Sequence, residues 1–158
     1  MTNETMNATI TIDAPAHTVF GILADPTKHA AIDGTGWVRE SLDGIHLTEE
    51  NQVFRIAMFH GNHPDGAYEM ANRVEVFDAP RAISWVPGQE NGNGKIEYGG
   101  WTWRYDLEPN GAGSTVVTLT YDWSAVPSYI REEIQFPPFD PDHLHNSLEH
   151  LAALARPA

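Results

Sequence analysis

Hydrophobic and polar residues alternate over much of the chain. In "MNATITID" (6–13) Met6, Ala8, Ile10 and Ile12 fall on one side, the period of a strand with one buried face. "APAHTVFGILAD" changes to helical spacing: Ala16, Val19, Phe20 and Leu23 share an arc, and Pro15 suits the first turn. Asp25-Pro26 ends that helix, because a residue before proline avoids the helical region. "PTKHAAID" predicts a second short helix closing at Gly34, and 36–44 predicts a strand. Alternation then resumes. Residues 52–60 place Phe54, Ile56, Met58 and His60 on one face; 67–80 place Met70, Asn72, Val74 and Val76; 81–87 place Ile83 and Trp85. In "EYGGWTWRYDLEP" (97–109) Trp101, Trp103, Tyr105 and Leu107 oppose Thr102, Arg104, Asp106 and Glu108. Gly99–Gly100 before them marks a bulge or sharp bend. Residues 114–123 add Val117, Leu119, Tyr121 and Trp123.

The links "DAPR" and "PNGAGS" are short and rich in turn formers, which predicts an antiparallel meander. At the C-terminal end Asp140 can cap a helix and Pro141 fits its first position. Its stripe is Leu144, Leu148, Leu151 and Ala155, with Asn146, Glu149 and His150 on the polar back. An antiparallel sheet must cover its apolar face, and this helix is the evident cover. The expected order is strand, two short helices, about six strands and a long amphipathic helix. That is an α+β fold in one domain spanning 1–158.

Composition narrows the function. With 41% hydrophobic and 20% charged residues over 158 positions, the chain can bury a core without staples. No cysteine is present, which excludes disulfides and thiolate metal sites. The net charge of −13 opposes nucleic acid, whose binding needs clustered cations. The polar start "MTNETMNATI" is unlike a secretion signal and no apolar run is long enough for a membrane span, so the expectation is a cytoplasmic protein.

Candidate chemistry centres on the aromatic face: Trp85, Trp101, Trp103, Tyr105 and Tyr121, with Phe54 and Met58 on a neighbouring strand. Such rings fill a core or wall a cavity. Trp and Tyr carry polar handles, so a group of them suits an amphipathic small-molecule site. His60 and Asn72 are polar residues in inward-facing sets; each has a protein partner or meets a ligand. Tyr105, Tyr121 or His60 would supply any acid–base assistance. The apolar connector 124–140 predicts a short helix after Pro127, and its Tyr129, Phe136 and Phe139 either pack on the sheet or edge the cavity mouth. His60, His63 and Asp65 in one loop, and His145 with Glu149 on one helix face, do not match a metal-ligand spacing, so no metal or other cofactor is expected. Arg55, Arg73 and Arg104 share the outward parity with Glu75 and Asp106, which predicts cross-strand charge pairs.

Three segments carry a family likeness. "ITIDAPAHTVFGILADPTKHAAIDG" (10–34), "VFDAPRAISWVP" (76–87) and "SLEHLAALA" (147–155) resemble the START/Bet v 1-like (SRPBCC) superfamily, in particular its polyketide cyclase/dehydrase branch. The resemblance implies a helix-grip fold: a curved seven-stranded antiparallel sheet wrapped around the C-terminal helix, with a cavity between them. It implies binding of an apolar or aromatic small molecule, polyketide- or lipid-like, with cyclase or dehydratase activity in some members. No motif of the chain matches a family catalytic set, so catalytic residues are not assigned. Two other roles fit the same fold: a non-catalytic carrier or sensor, and a protein-interaction module like the superfamily's co-chaperones.

Overall fold

The alternating segments form β1 (Thr5–Ile12), β2 (Val38–Ser41), β3 (Val53–Phe59), β4 (Ala67–Asp78), β5 (Ala82–Glu90), β6 (Ile96–Tyr98), β7 (Thr102–Pro109) and β8 (Thr115–Asp122). The structure, a computed structural model, describes residues 4–33, 38–59, 67–90, 93–132, 136–139 and 142–155. All described pairings are antiparallel, in the order β1-β8-β7-β5-β4-β3-β2, with β6 beside the end of β5.

The sheet has eight strands where seven were expected, because the segment 97–109 divides at Gly99–Gly100. β5 pairs with β6 through Gly88–Glu90 and with β7 through Ala82–Trp85. Gly100 makes the handover at φ 95°, and a Cβ there would lie 2.5 Å from the Ala125 carbonyl oxygen. Only glycine fits both conditions. Gly100→Ala is therefore expected to lower the unfolding free energy by about 2–3 kcal/mol, read as a shifted urea midpoint.

A second irregularity re-aims β4. Val74 opposes Trp85, but the register shifts before Val76 meets Ser84. Beyond it Phe77, not Val76, packs on the core, edge-on to Phe20 at 5.2 Å. Val76 thus leaves the face that strict alternation assigns to it, as an extra residue in a strand requires.

The helices are α1 (Ala16–Leu23), α2 (His29–Asp33), α3 (Ser128–Arg131) and α4 (His143–Ala155). Pro15 sits at the N-cap of α1 in extended conformation, one position before the first turn. A 3-10 turn, Pro26–Lys28, leads into α2, and the Asp25 carboxylate accepts from Thr27 N–H at its start. α4 packs against β1 and β8 and against α1 and α2. Its Leu144, Leu148 and Leu151 are fully buried, with Ala152 and Ala155 beside them. His150 is not part of a purely solvated back: its Nδ1 lies 3.1 Å from the Ile32 carbonyl and ties α4 to α2. Asp140 and Pro141 lie outside the described residues. Arg131 fastens α3 to the sheet edge through the carbonyls of Val126 (2.9 Å) and Trp123 (2.7 Å) and the Glu4 carboxylate.

The outward arginines are paired, though mostly along strands. Arg73 meets Glu75 at 3.5 Å and Arg104 meets Asp106 at 3.0 Å, both two residues apart on one face; Arg55 pairs with a carboxylate of another strand, Glu90. No described helix is long and apolar enough to cross a membrane.

Candidate functional site

Register gathers the aromatics into a row across three strands. Trp85 opposes Trp103, and Trp103 opposes Tyr121, with 4.5 Å between the last two ring centres. One step along, Ile83, Tyr105 and Leu119 form a second row, and Tyr105 lies 5.9 Å from Trp85. Phe54 reaches the same cluster from β3, edge-on to Trp85 at 5.7 Å. Asn72 opposes Phe54 and its Nδ2 donates to the Phe54 carbonyl at 3.5 Å, the limit of a hydrogen bond. At the far end Phe139 packs on Trp103 and Tyr121, with centres 5.7 and 5.0 Å away.

Two expected site residues, Trp101 and Met58, stand outside these rows. The Trp101 ring folds back over Gly99 and packs on Phe136 at 5.8 Å, because the chain leaves strand conformation at the glycine pair. Met58 lines a surface recess of about 310 Å³ with Arg39, Phe59 and Tyr68. His60 lies outside the described residues, as do His63 and Asp65. Tyr129 is 68% exposed and stands apart from the aromatic cluster. His145 Nε2 and the Glu149 carboxylate lie 3.2 Å apart on the exposed side of α4.

The sequence pattern gave no notice of three polar residues beside the rings. His29 opens α2, lies flat on Trp85 at 5.0 Å, and points Nε2 at the Leu23 carbonyl, 2.8 Å away. His143 opens the first turn of α4 against Phe139 (4.7 Å) and Trp103 (6.0 Å). Asp33 closes α2 with its Oδ1 3.9 Å from His143 Nε2, both side chains largely buried. Their signal is tertiary. His143 and Ser147 flank the leucine stripe at a four-residue spacing, but nothing local shows that the buried arc of α4 is wide enough to include them.

Burial governs the ionisation of this group. It lowers the His29 pKa, against the Leu23 carbonyl and Asp25, which favour the charged form. It lowers that of His143 too, against Asp33 and with a contribution from His150. Burial raises the phenols of Tyr105 and Tyr121, and Asp33 adds to the rise at Tyr105. Neither phenol hydroxyl makes a hydrogen bond to a described residue. Yet no fully enclosed side-chain oxygen or nitrogen among the described residues lacks a partner. Both phenol oxygens therefore touch space that a water can reach, although Tyr105 is 4% exposed and Tyr121 1%.

These histidines set a pH dependence. Their folded pKa values lie below the unfolded value of 6.5, so the unfolded chain binds more protons below that point. Stability is expected to be complete above about pH 6.5 and to fall as pH drops from there through the folded values. His29→Gln should reduce that acid slope in melting curves taken against pH.

Residues 4–155 match the family described as polyketide cyclase / dehydrase and lipid transport. Over 120 residues the chain is 26% identical to the uncharacterized protein Rv0088 of Mycobacterium tuberculosis, covering 76% of this chain and 48% of that one. The chain thus spans about half the length of that relative. Protein CV1439 from Chromobacterium violaceum superposes with a TM-score of 0.66 at 18% identity, over 98% of this chain and 99% of that chain. A norcoclaurine synthase point mutant from Thalictrum flavum, in complex with a transition-state analogue, gives 0.62 at 15% identity, over 96% and 92%. At such identities the structural likeness speaks for the fold alone.

Proposed function

The chain belongs to the polyketide cyclase / dehydrase and lipid transport family, and on that premise we propose that it binds an apolar or aromatic small molecule between its sheet and α4. In this reading the sheet grips α4 in helix-grip fashion, and the ligand lies along Phe54, Trp85, Trp103, Tyr105 and Tyr121. Asn72 stands at one end, and Phe139 covers the other. The observation that carries the proposal is the pair of buried phenols, Tyr105 and Tyr121, whose hydroxyls have no described protein partner. Each oxygen touches space that a water can reach, so each hydroxyl is open to a hydrogen bond from outside the protein. A site that meets a ligand oxygen with the hydroxyl and its apolar body with the ring accounts for that arrangement.

Two measurements test this. Native mass spectrometry of gently purified protein should reveal a co-purifying small molecule. Titration with naphthalene and 1-naphthol should change tryptophan fluorescence saturably. A linear, non-saturating response to both, with no bound molecule in the mass spectrum, would remove the proposal's support.

A further inference from the structure

His143 combines three properties that packing alone does not need. It is buried at the first turn of α4, its ring lies against Phe139 and Trp103, and neither ring nitrogen hydrogen-bonds to a described residue. The Asp33 carboxylate, 3.9 Å from Nε2, is too far for a hydrogen bond but close enough to stabilise a positive imidazole. An aromatic wall, a proton acceptor and a carboxylate behind it thus meet where α2 and α4 pack together.

We propose that Asp33 and His143 form a proton-accepting site for the acidic hydroxyl of a phenolic ligand stacked against Trp103. This rests on the reading that a small molecule binds between the sheet and α4. With Nε2–H turned to Asp33, Nδ1 is the nitrogen left to accept. The ligand O–H bond breaks, the proton forms an N–H bond on His143, and the electron pair stays on the ligand oxygen. Asp33, a positioning residue, faces the imidazolium and stabilises its charge. His150 also acts on His143 and opposes its protonated form, so the carboxylate is needed. The choice of a neutral hydroxyl follows from charge. Asp33 and a chain of net charge −13 repel a ligand that arrives ionised, whereas proton transfer creates the cation and the anion together inside the site.

The test compares 4-nitrophenol with nitrobenzene, which has the same ring and no hydroxyl, at a pH below the free phenol's ionisation. Calorimetry should give about ten-fold tighter binding of 4-nitrophenol to the full chain. Its bound spectrum should show the phenolate band. In His143→Phe, which keeps a ring against Phe139, and in the near-isosteric Asp33→Asn, the preference should collapse toward unity and the band should disappear. A preference unchanged within about two-fold in whichever of these variants folds, or a neutral-phenol spectrum in the unsubstituted protein, would overturn the proposal while leaving ligand binding intact. If the unsubstituted protein bound neither compound, the binding reading itself would fail, and this inference with it.

Discussion

Leu148→Ala is expected to lower the unfolding free energy by about 2–5 kcal/mol, and a chain ending after Phe139 is expected to show no cooperative transition. Leu148 is fully buried on the α4 face that meets the sheet, between Leu144 and Leu151, which are equally enclosed. Removing its side chain loses the transfer free energy and leaves a cavity that neighbouring strands cannot fill by collapse. α4 touches β1, β8, α1 and α2, so the strain is felt in every layer. Domains of this size hold about 5–15 kcal/mol in total, so Leu148→Ala alone consumes much of the margin. Without α4 the apolar faces of β1 and β8 and of α1 meet water together. Chemical denaturation followed by far-ultraviolet circular dichroism checks both statements. A cooperative transition near the full-length midpoint in the shortened chain would show that the sheet is stabilised by something else.

The same helix shows what a sequence reveals of a fold. Its leucine stripe has a period of its own and needs only the 3.6-residue turn to be read. The strands are legible for the same reason, each carrying alternation within itself. What local pattern misses is whatever a second element decides. The division of 97–109 depends on the backbone of Ala125 and Val126, which leaves no room for a side chain at Gly100 and lies far along the chain. The exit of Val76 from the inner face follows from a register shift against β5, which alternation in β4 does not contain. At the site the aromatic half is legible because Trp85, Trp103, Tyr105 and Tyr121 announce themselves by bulk and parity. The polar half is not. His29, Asp33 and His143 lie at ends of short or capped helices, where polar residues are ordinary, and acquire their character from burial against β5, β7 and each other. Burial of a polar group is a property of the assembled layers.

Trp103→Ala is expected to weaken binding of a neutral polycyclic aromatic by about ten- to a hundred-fold, while Tyr121→Phe should change stability by less than about 1 kcal/mol. Trp103 occupies the middle of the aromatic row, opposite Trp85 on one side and Tyr121 on the other. Its ring also meets Phe139 and His143, so it is the residue shared by the sheet, the connector before α4 and α4 itself. A ligand lying along the row cannot avoid it. Tyr121 offers the contrasting case. Its ring packs on Trp103, Trp123 and Phe139, but its hydroxyl has no described partner, so removing the oxygen breaks no hydrogen bond to a described residue. If the phenol serves the ligand, Tyr121→Phe lowers affinity for 1-naphthol more than for naphthalene and leaves the melting curve in place. Fluorescence cannot compare the Trp103 variant directly, because it removes one of five reporters, so calorimetry below its melting temperature is the measurement. Loss of stability with affinity retained would mean that Trp103 packs the core and the ligand lies elsewhere. Loss of affinity beyond the loss of stability would place the ligand against its ring.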